Sequence, residues 1–103
     1  MSPEQCRGQD VDHRSDLYSM GGTFYHMVTG EPPYPERASV HDLLTSHCDD
    51  PVPDPRAIDP ELPAECTAIV QTSMAKAPGD RYASAVEMLQ DLTWLRELAR
   101  RAD

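Results

Sequence analysis

The stretch from Asp12 to Gly30, DHRSDLYSMGGTFYHMVTG, constrains the fold of this chain more than any other. From Leu17 onward the apolar residues Leu17, Tyr18, Met20, Phe24, Tyr25, Met27 and Val28 spread over nearly every side of a 3.6-residue wheel. A helix that is apolar all round is expected to be buried on all sides. Asp12 or Ser15 can cap its start, and Gly30 followed by Pro32 and Pro33 stops it, so the helix is read as about Ser15 to Thr29. Gly21 and Gly22 lie inside it, where each glycine costs ~1 kcal/mol relative to alanine. That cost suggests close backbone packing there, with plain tolerance as the alternative.

The remaining segments read as helices and proline-rich connections. Ser2 and Pro3 suit the cap and first turn of a short helix. Residues 8–14 are polar and read as a loop, and residues 30–38 hold three prolines and must be irregular. Ser39 to Asp42 is a capping-box-like start for a helix ending near Cys48, and its thin apolar set, Val40, Leu43 and Leu44, places it at the surface. Residues 49–63 carry five prolines and form a long loop. A helix over about 63–75 presents Cys66, Ile69, Val70 and Met74 at helical spacing. Ser84-Ala85-Val86-Glu87 is a full capping box for a last helix reaching about Arg100, with Met88, Leu89, Leu92, Leu95 and Leu98 on one face and Trp94 off that stripe. No segment alternates as a strand does. The expected fold class is all-α with four to five helices in one unit.

Three motifs in order carry a family resemblance. Ser15-Asp16-Leu17-Tyr18-Ser19-Met20-Gly21 resembles the helix F signature of protein kinases. Met1-Ser2-Pro3-Glu4 resembles the Ala-Pro-Glu motif that ends the activation segment. Lys76-Ala77-Pro78-Gly79-Asp80-Arg81-Tyr82 resembles the run that precedes the last kinase helix. The wording is similar to bacterial serine/threonine kinases of the eukaryotic-like type. The resemblance implies that residues 1–103 form a partial kinase domain, the C-terminal helical part of the large lobe (helices F, G, H and I) with no small lobe. The family activity is ATP-dependent phosphorylation of protein serine and threonine.

The resemblance also gives structural roles to four residues. Glu4 and Arg81 correspond to a buried ion pair tying the activation segment to the base of the lobe; on spacing alone both read as solvated surface charges. Asp16 corresponds to an acid that accepts N–H bonds from the catalytic loop; on position alone it is an acid favoured by the start of a helix dipole. Gly21 is the glycine of the helix F signature. Glu31 to Tyr34 and the helix after it resemble the segment near the protein-substrate groove, or form an ordinary proline turn.

Catalytic motifs are missing. Phosphoryl transfer needs a nucleotide cradle, a lysine on the phosphates, metal ligands and a positioned base. The sequence has no Asn to hold magnesium, its one Phe (Phe24) follows Thr23 and so forms no Asp-Phe-Gly, its one Lys is Lys76, and its five glycines form no Gly-x-Gly-x-x-Gly. His13-Arg14-Ser15-Asp16 imitates a catalytic His-Arg-Asp with an insertion, but its flanks match helix F. Asp12, His13 and Ser15 crowd one turn and cannot serve as a hydrolase triad. His41, His47 and Cys48 match no zinc spacing and read as surface residues. No catalytic, cofactor-binding or metal residue is therefore expected in this chain. ATP and magnesium belong to the complete kinase.

The formal net charge of −9 argues against nucleic acid and anionic membrane as partners. Three cysteines, an odd number, fit a reducing compartment, and neither a signal segment nor an apolar run of membrane-spanning length is present, so the cytoplasm is expected. The expected partners are a protein substrate or the remaining kinase parts. The alternative reading is a non-catalytic, kinase-derived binding module that uses residues 30–48 to hold a protein.

Overall fold

Five helices account for most of the chain: α1 (Pro3–Cys6), α2 (His13–Thr29), α3 (Val40–Asp49), α4 (Ala64–Ser73) and α5 (Ala85–Ala102). The computed structural model describes residues 2–34 and 39–102. Among these, short 3-10 turns at Pro55–Ala57 and Pro78–Asp80 are the other regular elements and no strand occurs. Met1 of the first motif and residues 35–38 of the proline segment lie outside the described residues.

Local chemistry sets the helix ends. Ser2 forms a reciprocal capping box with Gln5, and Pro3 occupies the first turn of α1. Asp12, rather than Ser15, caps α2 by accepting from the Arg14 N–H at 2.9 Å, so the helix starts two residues earlier than expected. Gly30 closes it in the left-handed region at φ 78°. Ser39 caps α3 through the Asp42 N–H. Glu87 reaches back to the Ala83 N–H at 2.9 Å, one residue before the expected cap at Ser84. The five-proline connection is partly ordered by Asp54, which accepts from the Arg56 N–H and the Thr67 hydroxyl and so ties the turn at Pro55–Ala57 to α4.

Helix α4 sits between two apolar clusters. On one side Val70 and Met74 pack with Tyr18, Tyr25 and Tyr34. On the other, Ile69 packs with Leu17, Tyr82 and Met88. Phe24 of α2 borders both. These burials, each worth roughly 1.5–3 kcal/mol per large side chain, hold α2, α4 and α5 together.

Burial of α2 on all sides is not what the structure shows. Leu17, Tyr18 and Tyr25 are buried, but Met20 is 45% and Met27 78% exposed. The reason is thickness. The Cα trace measures 44 × 29 × 16 Å, and its thin dimension holds about two packed layers of helices, whose Cα cylinders are ~2.3 Å in radius and lie ~8–10 Å apart. One face of α2 thus stays open and forms, with α5, a groove of about 670 Å³ lined by Met20, Phe24, Met27, Met88, Leu92 and Leu95. Leu89 and Trp94 of α5 are also exposed, and Trp94 packs under the Arg101 guanidinium.

The two glycines of α2 separate clearly. A Cβ on Gly21 would press on the buried Ser73 side chain and come within 2.8 Å of Met74 Cγ. Ser73 cannot swing away freely, because its hydroxyl donates to Ile69 O at 2.7 Å inside α4. Gly22 is roomier, with Pro33 Cγ at 3.6 Å as the nearest atom to an added Cβ. Gly21→Ala is expected to destabilise, since overpacking at roughly 1–3 kcal/mol exceeds the ~1 kcal/mol helix gain. Gly22→Ala should be neutral or stabilising by up to ~1 kcal/mol. Urea titration of both variants checks this, and equal effects would remove close packing as the reason for Gly21.

Candidate functional site

The polar centre of the molecule is built where α1, the start of α2 and the segment before α5 converge. The capped first turn of α1 presents Glu4, which is 4% exposed. The turn at Pro78–Asp80 delivers Arg81, which is 6% exposed, with its backbone N–H bonded to Pro78 O. Arg81 Nη1 and Nη2 donate to the two Glu4 carboxylate oxygens at 2.7 and 2.8 Å. This is a bidentate pair between residues 77 positions apart. Arg81 Nε donates to Ala75 O at 2.7 Å, Nη1 also to Arg14 O at 3.0 Å, and Nη2 to Lys76 O at 3.2 Å. All five guanidinium donors are thereby used, which is the arrangement a buried arginine requires.

Ser15 completes the carboxylate's surroundings by donating its hydroxyl to Glu4 at 2.7 Å. The Arg81 hydrogen bonds dominate the electrostatics and hold the Glu4 carboxyl down at about 2, although burial works the other way; Ser15 adds to the lowering. The Arg81 guanidinium lies 5.0 Å from the centre of the Tyr18 ring, a cation–π contact.

A second network continues from Tyr18. Burial pushes the Tyr18 phenol well above its usual value and the His47 imidazole down to about 4. With the phenol protonated and the imidazole neutral, Tyr18 Oη and His47 Nδ1 share a hydrogen bond of 2.9 Å. The His47 ring meets Tyr34 edge-on at 4.9 Å between centres. Tyr34 Oη donates to the carbonyls of Asp50 and Pro51 and accepts from Lys76 Nζ at 2.7 Å. Lys76 also donates to His47 O at 2.7 Å. His47 is therefore not a surface histidine: its side chain is half-buried and joins α3 to α2, whereas His41 is exposed.

The catalytic look-alike at the head of α2 has structural uses. His13 Nε2 bonds to Ala83 O at 2.7 Å, the Arg14 carbonyl accepts from Arg81, Ser15 serves Glu4, and Asp16 is an exposed acid in the first turn. Gly21 lies against α4. Glu4 and Arg81 are brought together directly; Asp16 and Gly21 lie elsewhere along α2. Among the described residues no group of three His, Cys, Asp or Glu side chains is placed to hold a metal ion. Sequence reasoning missed the roles of Ser15, Lys76 and His47. A lone lysine in a chain with no other was the one signal for Lys76.

No protein-family model matches the chain. The serine/threonine-protein kinase PknB of Mycobacterium tuberculosis is 44% identical over 92 residues, which are 89% of this chain and 14% of that protein. PknB of Mycolicibacterium smegmatis is 41% identical over 97 residues, 94% of this chain and 15% of that one. PknH of M. tuberculosis is 40% identical over 88 residues, 85% of this chain and 14% of that one. Among solved structures, the crystal structure of a point mutant of the M. tuberculosis PknI kinase domain matches with a TM-score of 0.70 at 27% identity, covering 92% of this chain and 33% of that one. The chain thus spans about one seventh of the length of these curated relatives. The chain corresponds to a C-terminal, helical part of the large lobe of the kinase domain of bacterial serine/threonine protein kinases.

Proposed function

We propose that residues 1–103 are a partial kinase domain that supplies the structural base of a serine/threonine kinase, and that this chain alone transfers no phosphate. The observation that carries the reading is the state of Lys76. It is the chain's one lysine, and its ammonium is committed to Tyr34 Oη and the His47 carbonyl. It is not free to pair with nucleotide phosphates, and the sequence offers no Asn as a magnesium ligand. ATP, magnesium and transfer to protein Ser or Thr hydroxyls belong to the complete domain. The Glu4–Arg81 pair would anchor the end of the activation segment there. The partner is the rest of a kinase domain, for which the open apolar groove between α2 and α5 supplies a contact surface. The acidic balance speaks against nucleic acid. The place of action is the cytoplasm; among the described residues no helix is long and apolar enough to cross a membrane.

Incubating the purified chain with radiolabelled ATP, magnesium and a generic protein acceptor should give no transfer above the no-enzyme blank. Transfer that co-purifies with the chain and disappears in none of the contaminant controls would overturn the reading.

A further inference from the structure

We propose that Cys6 and Cys48 form a thiol pair that hydrogen peroxide converts to a reversible disulfide, stapling α1 to α3. Cys6 ends α1 and Cys48 is the penultimate residue of α3. Both are free and partly exposed, and both line one surface cleft. The helix ends are already held together. Cys48 Sγ donates to Pro3 O at 3.7 Å, and Arg7, the residue after Cys6, donates to Cys48 O at 3.5 Å and pairs with Asp49 at 3.7 Å. Burial raises the Cys6 thiol above its ordinary value, and the neighbouring Cys48 thiol adds to the rise. The third cysteine, Cys66, is 2% exposed in the core. Small apolar packing is the other use of such a pair, and the reaction with peroxide separates the two.

The chemistry balances. One thiolate attacks peroxide, giving a sulfenic acid and, after protonation of the leaving hydroxide, water. The second thiol displaces water from the sulfenic sulfur to form the S–S bond. Two thiols lose two protons and two electrons, and one peroxide takes them up to become two waters. A raised Cys6 thiol makes the reaction faster as pH rises. The product tethers the helix that carries Glu4 to α3.

The test is peroxide treatment of the folded chain, alkylation, and peptide mapping by mass spectrometry, with the same reaction in guanidinium chloride. In the folded chain the expected product is a monomer lacking two hydrogens, linked Cys6–Cys48, alkylated at Cys66 and restored by dithiothreitol. Cys66→Ser should retain the link. In the unfolded chain loop statistics favour Cys48–Cys66 over Cys6–Cys48 by about four-fold, because the intervening segment is shorter. Folded chain that yields free thiols, sulfinic acid, intermolecular links or pairs with Cys66 would overturn the proposal. So would the same Cys6–Cys48 share in both conditions.

Discussion

Arg81→Ala should lower the stability of the chain by about 3–5 kcal/mol, because it leaves the buried Glu4 carboxylate without its counter-charge. It also strands the carbonyls of Arg14, Ala75 and Lys76, which the guanidinium serves from the centre of the molecule. Arg56→Ala is the contrast. Arg56 is exposed, and its side chain donates to Pro60 O at 3.5 Å with no buried ion-pair partner among the described residues, so its loss should cost no more than about 1 kcal/mol. A small domain holds ~5–15 kcal/mol in total, so Arg81→Ala can unfold the chain outright. Arg81→Lys covers that case. It keeps the positive charge but presents three donors from one point, and it cannot reach two carboxylate oxygens and three carbonyls together. It should still lose well over half of what alanine loses. Urea midpoints for the three variants decide the matter; Arg81 and Arg56 changes of equal size would dismiss the pair as the anchor of the fold.

How much of this was legible in the sequence depends on the range of the signal. Helix ends are local, and Ser2, Asp12, Gly30 and Ser39 act within a few residues of where they stand. The Glu4–Arg81 pair is not local. Nothing in composition or periodicity joins positions 77 apart, and only the order of three kinase-like motifs pointed to it. Periodicity misjudged α2, because a wheel reports which residues are apolar and not how many neighbours exist to cover them. Where the Cα trace is only 16 Å deep, the Met20 and Met27 side has no covering layer among the described residues. His47 and Lys76 were missed for a related reason. Polar residues on a short surface helix and in a loop normally face water, and their burial here depends on Tyr18 and Tyr34 arriving from elsewhere in the chain.

Acid should unfold the chain in two stages whose signs follow from the two perturbed groups. Glu4 titrates at about 2 when folded and at 4.5 when unfolded, so the unfolded chain binds the proton first. Its contribution is complete above pH 4.5 and is lost as pH falls toward 2; the gap corresponds to about 3 kcal/mol. His47 is held neutral by burial, with a folded value of about 4 against 6.5. The unfolded chain again takes the proton first, so stability is lost as pH falls from 6.5 toward 4. Opposing both, acid relieves self-repulsion in a chain of net charge −9. Variants therefore read the stages better than the raw profile does. In Arg81→Lys or Arg81→Ala the hydrogen bonds that hold Glu4 down are weakened or gone, burial pushes its carboxyl up, and the stage below pH 4.5 should shrink or reverse. His47→Gln keeps a hydrogen-bonding group for Tyr18 and removes the titration, so the upper stage should vanish while the lower one stays. Stability measured by urea titration across roughly pH 2–7 provides the readout. A lower stage that persists unchanged without Arg81 would mean that Glu4 is ionised in the fold for some reason other than its arginine.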